Sequence, residues 1–380
     1  MLFRSFDFTT MPKKPDSRKR KAMIAKDKNS NYCPLTVADM DFLNMPQLGE
    51  NLREYLKTGS LGYENTRKFY YENIIEWNWK RHGLKLEKDW FLISSGVIPS
   101  MLQALYALSE PGDGVIVFTP IYHNFFTIIE ASDRKQVRIS LHKDGSINYD
   151  AFEQAAKNEK NKILIFCNPH NPLGKIWLEE DLKRIAKICE ENKLIILSDE
   201  IHGDILLFGS SQNSFLKIEQ AYNRLIVFTS GSKTFNLGGI KISNLLIPNA
   251  ELRKIMFHHL QKQGMFGASI MDRLVLEYLY GQGSLWVDEL ISLLEKNILR
   301  TCSQIQKIGW YAKASEATFL LWIDTGFRGK EKEILEKMHK KHIFMTPGSQ
   351  FGIEGEGFLR MNVALPTKEL DYILNRLKEI

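Results

Sequence analysis

At 380 residues the chain is too long for one simple core and suits a large domain with a smaller companion. Its composition, 44% hydrophobic, 25% charged and 11% aromatic, excludes disordered and fibrous classes, and no apolar run approaches the ~18 residues of a membrane span. A net charge of +6 with a single dense basic run, Arg18-Lys-Arg-Lys21, and no basic stripe interleaved with aromatics argues against nucleic-acid binding and predicts a solvated N-terminal segment.

The opening residues, Met1-Leu-Phe-Arg-Ser-Phe-Asp7, break any apolar segment with polar and acidic side chains, so no signal peptide is expected and a cytoplasmic location is. Cysteines at 33, 167, 189 and 302 form no CxxC pair, and neither disulfide nor zinc is expected. Cys167 and Cys189 lie in apolar patterns and are expected to be buried free thiols. From about residue 45 to 245, helical patterns alternate with short apolar runs, the signature of an α/β domain with a mostly parallel sheet between helices. Helices are expected over 99–108, 149–157 and 179–192, the last with Leu182, Ile185, Ile188 and Cys189 on one face. Strands are expected over 115–118, 163–166, 194–197 and 225–228, each ending in small or polar residues. In an open parallel sheet ligands bind outside the carboxyl ends of the strands, so these ends should converge on one crevice. After residue 275 a long helix, 284–306, a strand over 318–322 and a closing helix from 368 predict a second, α+β unit. The expected division is therefore a large α/β domain over 45–283 and a small α+β domain made of 1–44 with 284–380.

Five segments carry chemistry. Ser94-Ser-Gly96-Val97-Ile98-Pro-Ser100 opens a helix, and free N–H groups there with little side-chain bulk make an anion site, although many helices begin this way for capping alone. Thr119-Pro-Ile-Tyr122 places an aromatic after a strand end, suited to stacking on a flat ring or to a core. Cys167-Asn-Pro-His-Asn171-Pro-Leu-Gly174 sets an amide in a turn that Pro fixes and Gly174 reverses; a tight surface turn reads the same. Leu197-Ser-Asp199-Glu-Ile-His202 puts a carboxylate at the crevice end of an apolar strand, where a helix cap or a protonated ring nitrogen, such as that of pyridoxal phosphate, would engage it. Ser230-Gly-Ser232-Lys233-Thr-Phe-Asn-Leu-Gly-Gly-Ile-Lys241 surrounds a lysine with small residues, so that Ser230, Ser232 and Lys241 can hold a phosphate beside an amine nucleophile; an exposed lysine in a Gly/Ser loop is the plain alternative.

Taken in order with Gly96-Val97, Pro120–Tyr122 and Arg360 of Phe358-Leu-Arg-Met-Asn362, these motifs resemble the fold-type-I pyridoxal-phosphate enzymes, the aminotransferase class I/II superfamily. More narrowly they are similar to its cystathionine β-lyase (MalY/PatB-like) branch, for which Val37-Ala38-Asp-Met-Asp-Phe42 and Ser198-Asp-Glu-Ile-His202 are characteristic. The resemblance runs from about residue 30 to 366 and implies pyridoxal 5'-phosphate as cofactor, a fold-type-I fold with a seven-stranded sheet, and a homodimer with shared active sites. It implies Lys233 as the Schiff-base lysine and Cα proton shuttle, Asp199 on the ring nitrogen, Asn171 on the ring O3′ and Tyr122 stacked on the ring. His202 stands where many transaminases have tyrosine. Gly96, Val97, Ile98, Ser230, Ser232 and Lys241 would cup the phosphate, with Tyr63 reaching it from the neighbouring subunit. Arg360 would grip the substrate α-carboxylate, with Ala38 and Asn171 beside it. The implied reaction is β-elimination of a sulfur-bearing amino acid to a thiol, pyruvate and ammonia; class I/II transamination is the alternative, and the branch also implies a possible regulatory protein-binding role. Thr36 departs from the family's usual tryptophan, and the family's N-terminal arginine and Lys-Trp-Asp elements are not recognisable in 6–28, which leaves the substrate's identity open.

Overall fold

The computed structural model describes residues 6–12, 33–265 and 267–380, so the basic run at 18–21 lies outside the described residues. In chain order the strands are β1 (Cys33–Pro34), β2 (Phe91–Ser94), β3 (Gly114–Thr119), β4 (Lys135–Ser140), β5 (Asn161–Cys167), β6 (Ile195–Asp199) and β7 (Leu225–Thr229). They continue as β8 (Ser243–Leu246), β9 (Leu320–Asp324), β10 (Ile343–Phe344), β11 (Thr346–Pro347) and β12 (Phe358–Asn362). Seven of them form one sheet in the order β2-β8-β7-β6-β5-β3-β4, parallel throughout except β8, which runs against both neighbours.

The central strands are apolar on both faces because both faces are covered. Their period of two divides the side chains cleanly: Ile116, Phe118, Leu164, Phe166, Ile196 and Val227 enter one core, and Val115, Val117, Ile163, Ile165, Leu197 and Ile226 the other. On the first face Phe118 meets Phe152 and Phe166 edge-on, at 5.1 and 6.0 Å. Helix Val97–Leu108 covers the second face, and helix Glu179–Glu191 buries Leu182, Ile185, Ile188 and Cys189 against the first. Cys167 and Cys189 are buried free thiols, and burial pushes both well above their ordinary pKa.

β9, β11 and β12 form a separate antiparallel sheet, and β1 pairs in parallel with β10. The chain after β1 is thereby drawn along the C-terminal part: Asn362 N–H donates to Leu35 O at 2.9 Å and Asp41 N–H to Ala364 O at 2.8 Å. No helix among the described residues is long and apolar enough to cross a membrane.

The strand β12 leaves its sheet over the long helix Ser284–Gln306, where buried Asn297 donates to the carbonyls of Val363 (3.0 Å) and Leu365 (2.9 Å) and accepts from Thr367 Oγ1 (3.0 Å). Asn297→Leu preserves size but strands the Leu365 carbonyl and leaves Val363 O with only the Leu365 N–H (3.0 Å), so equilibrium denaturation should show a loss of about 1–3 kcal/mol, against the near-zero change expected if these bonds were incidental.

Candidate active site

The parallel register brings the carboxyl ends of β2, β3, β5, β6 and β7 to one edge of the large sheet, and the reversed strand β8 brings its amino end there too. A cavity of about 1310 Å³ lies at that edge. It is lined by Ala38, Gly96, Val97, Ile98, Tyr122, Asn171, Asp199, His202, Ser230, Ser232, Lys233, Lys241 and Arg360, so the structure assembles every site residue expected from sequence except Tyr63. Tyr63 is fully exposed and stands outside its own chain's cavity.

Lys233 lies on the single helical turn Gly231–Thr234 that follows β7, and its Nζ donates to the carbonyl of Ala38 at 2.6 Å. Burial pushes its ammonium down to about 8, Asp39 and Asp199 pull it back up, and Arg360 and Lys241 push it further down. Asp199 ends β6 directly opposite Cys167 of β5. Burial pushes its carboxyl up to about 7, against the Ile201 N–H that it accepts at 3.1 Å and the charge of Lys233. His202, one turn on, is buried with Nδ1 making no hydrogen bond among the described residues, and burial together with Lys233 and Arg360 pushes its imidazole down to about 3, so it is neutral.

Asn171 follows β5 in a turn that Gly174 makes possible, since φ there is +64° and an added Cβ would stand 2.5 Å from Ser315 Cβ. The bonds Asn168–Pro169 and Asn171–Pro172 are both cis. Asn171 Oδ1 accepts from Arg360 Nη1 at 3.0 Å, while Arg360 Nη2 donates to Thr36 O at 2.8 Å and its guanidinium lies 4.9 Å from the ring centre of Phe351. Burial lowers Arg360 to about 10, which leaves it charged at neutral pH, and its Nε has no hydrogen-bond partner among the described residues. Thr36, in the position where tryptophan was expected, serves through its backbone carbonyl.

At the other end of the cavity, Gly96 caps helix Val97–Leu108 with φ of 101°, and no acceptor among the described residues takes the N–H of Val97 or Ile98. Two orphan donors at a helix N-terminus, with Ser232 and Lys241 lining the same space, fit an anion. Ser230 lines this end as well, but its hydroxyl proton goes to the Ile242 carbonyl (2.8 Å) while its oxygen accepts from Ser232 N–H (3.2 Å). It therefore acts as the cap of the lysine-bearing turn. Tyr122 Oη accepts from Asn124 Nδ2 at 2.6 Å, and its ring packs edge-on against Phe125.

Sequence reasoning passed over the residues that bolt the loop 36–42 across the cavity. Asn362 Nδ2 donates to the carbonyls of Val37 and Asp39, both at 2.7 Å, and Asn236 accepts from Met40 N–H (3.1 Å) while donating to Phe42 O (3.0 Å). Both asparagines stood inside quoted motifs, which was the available signal. Asp39, carried to Lys233 by this loop, was likewise seen only as a letter in a motif.

The sequence profile of the family described as aminotransferase class I and II matches residues 31–377. Cystathionine beta-lyase PatB of Bacillus subtilis is 32% identical over 355 residues, covering 91% of each chain. Cystalysin from Treponema denticola, whose crystal structure contains a pyridoxal 5'-phosphate cofactor, superposes with a TM-score of 0.94 at 33% identity over 98% of each chain. The PLP-bound C-S lyase from Staphylococcus hominis gives a TM-score of 0.89 at 27% identity, again over 98% of each chain.

A lysine held near 8 is part neutral where exposed lysines, near ~10.4, are almost wholly charged. Acylation of ligand-free protein with an amine-directed reagent, followed by peptide mass spectrometry across pH, should label Lys233 with a midpoint near pH 8; a midpoint with the bulk lysines would show that burial does not govern this amine.

Proposed function

The chain belongs to the aminotransferase class I and II family, and from that premise we propose that it is a pyridoxal-phosphate-dependent C–S β-lyase that converts a sulfur-bearing amino acid of the cystathionine type to a thiol, pyruvate and ammonia. The observation that carries the reading is one crevice holding together an amine of lowered basicity, a buried carboxylate, an open helix N-terminus and a buried guanidinium.

These residues fit the cofactor. Bound pyridoxal phosphate supplies a carbonyl that links to amines and a protonated ring that draws electrons from the substrate Cα. Asp199, whose carboxyl is raised only by burial, returns to its charged form against a cationic ring nitrogen and keeps the proton there. Asn171 has its amide Nδ2 left to donate to the ring oxygen, since Oδ1 is engaged by Arg360. Tyr122 would stack on the ring, and neutral His202, lining the same cavity, would add no charge there. The N–H groups of Val97 and Ile98, with Gly96, Ser232 and Lys241, would hold the phosphate, and Ser230 holds the turn that carries Ser232. Arg360 takes the substrate α-carboxylate with the donors its partners leave open, beside Ala38.

Lys233, whose amine burial makes less basic, would remove the Cα proton, the Cα–H electron pair forming the Cα=Cβ bond as a thiolate departs from Cβ with the electron pair of the C–S bond, and water would hydrolyse the released enamine to pyruvate and ammonia. A thiol of ordinary pKa, about 8.5, makes that departure easy. In this reading residues 45–283 carry the cofactor side of the crevice, and 1–44 with 284–380 carry the substrate side through Ala38 and Arg360. Purified enzyme should release pyruvate and thiol in equal amounts from cystathionine or cysteine S-conjugates with no keto acid added, and Lys233→Ala should lower that rate by at least about 10³-fold. Amino-group transfer that requires a keto acid, with no pyruvate released in its absence, would assign transamination instead.

The exposed Tyr63 completes the reading as a homodimer whose sites are shared, its hydroxyl donating to the phosphate in the partner subunit. Mixed dimers of Tyr63→Phe and Lys233→Ala chains should then regain activity at the one site that receives both Lys233 and Tyr63. Verified heterodimers with no gain over either parent would place Tyr63 outside the site.

A further inference from the structure

The mechanism above leaves the carboxylate of Asp204 unused, and it is bonded to Thr234, the residue that follows the lysine. Asp204 receives three hydrogen bonds: Trp77 Nε1 donates to Oδ1 at 2.8 Å, His82 Nε2 meets the same oxygen at 2.7 Å, and Thr234 Oγ1 donates to Oδ2 at 2.7 Å. Trp77 and His82 both belong to helix Lys68–His82, and both are buried. Burial acts to raise the Asp204 carboxyl, but the bonds from His82, Trp77 and Thr234 together hold it below its ordinary range.

The turn Gly231–Thr234 cannot hold its own shape, because a single helical turn fixes about six dihedral angles for one hydrogen bond. Its amino side is fastened by Ser230, bonded to Ser232 N–H and Ile242 O. Its carboxyl side is fastened by Thr234, and Phe235 packs beyond it between Trp77 (5.3 Å) and Tyr280 (5.2 Å). Lys233 therefore projects from between two anchors. The second anchor comes from the same short segment as the ring carboxylate: after Asp199 the chain closes a tight turn, with Gly203 N–H on Glu200 O (3.0 Å) and Ile205 N–H on His202 O (3.1 Å), and presents Asp204.

We infer that Asp204 is a positioning residue: through Thr234 it fixes Lys233 relative to Asp199, so that the one segment 199–204 sets both the ring carboxylate and the lysine. The inference rests on Lys233 being the cofactor lysine, as proposed above. Thr234→Val keeps the β-branched shape and removes the donor, whereas Thr234→Ser keeps the donor and removes a methyl group. In the holoenzyme the Val variant should lose about tenfold or more in kcat with KM for the amino acid within about threefold, and the pH midpoint of the visible absorbance band of the lysine-held cofactor should shift by at least about 0.5 unit. The Ser variant should keep kcat and KM within about twofold and the midpoint within about 0.2 unit. A Val variant with unchanged kcat and midpoint, or a Ser variant that falls as far as Val, would overturn the inference, since packing alone would then explain the site. If Val does not fold, Asp204→Asn, which keeps the shape and one acceptor, is read by the same kcat, KM and midpoint, and unchanged values there overturn the inference equally. Borohydride reduction with peptide mapping separates the two claims: label on another lysine overturns the site reading itself, while label on Lys233 with an unaltered Val variant overturns only the role of Asp204.

Discussion

An amine can serve as a nucleophile and base near neutral pH only if its surroundings discourage its charge, and the rest of this structure depends on arranging that for Lys233. Burial supplies the downward push, to about 8, and the carboxylates of Asp39 and Asp199 limit it. Neither group is near Lys233 in sequence except through the fold. Asp199 arrives because β6 and β7 are parallel neighbours that end at the same edge, and Asp39 arrives because β1 pairs with β10 and draws the N-terminal segment across. The reversed strand β8 has its own consequence: it alone enters the sheet from this edge, so Lys241 precedes it at the crevice mouth and Ile242 offers its carbonyl to Ser230.

Asparagines, buried at 171, 297 and 362 and half-buried at 236, lock non-adjacent segments together around the site. Asn171 joins Arg360, Asn236 and Asn362 grip the loop 36–42, and Asn297 holds the chain leaving β12. A carboxamide suits this task because it offers a donor pair and an acceptor on one uncharged group, so it can satisfy backbone N–H and C=O together without the desolvation cost of a charge. A charged clamp in these places would also move the pKa of Lys233, which the amide leaves alone.

Much of this was legible in the sequence where a local pattern is strong enough to survive burial. The strands over 115–118, 163–166, 194–197 and 225–228 and the helix over 284–306 appear within a few residues of expectation, because continuous apolar runs and a long polar face have few alternative readings. Helix Lys68–His82 gave no such stripe: it buries Tyr70, Ile74 and Trp77 but exposes Phe69 and Trp79, so apolar residues surround it and periodicity is masked. The strand over 318–322 begins later, at Leu320, since Thr318 adopts φ of 71° and turns the chain. Within the site, residues announced by motif, Tyr63 apart, were found at the crevice, whereas Asp204 was missed because its partners, Trp77 and His82 on one helix and Thr234 on the lysine-bearing turn, lie in two stretches far from it in sequence that only tertiary packing unites. Ser230 shows the complementary limit. Its hydroxyl was read as a phosphate donor, yet a serine ahead of a short helix bonds the nearest backbone first.

The carboxyls at 199 and 200 show why adjacency in sequence need not mean shared work. Burial raises both to about 7, and the charge of Asp199 adds to the rise at Glu200. Their side chains nevertheless enter different surroundings, since β6 ends at Asp199 and Glu200 already lies beyond the strand. Glu200 turns from the cavity to a closed set of donors, Ser198 Oγ (3.1 Å), Gln212 Nε2 (3.0 Å) and Phe215 N–H (3.3 Å), and so is spent on structure. Asp199 has one backbone donor and an open side toward the cavity. The carboxyl with unmet bonding capacity is the one free to answer a cation, and that difference in satisfaction, more than any difference in pKa, separates the functional acid from its neighbour.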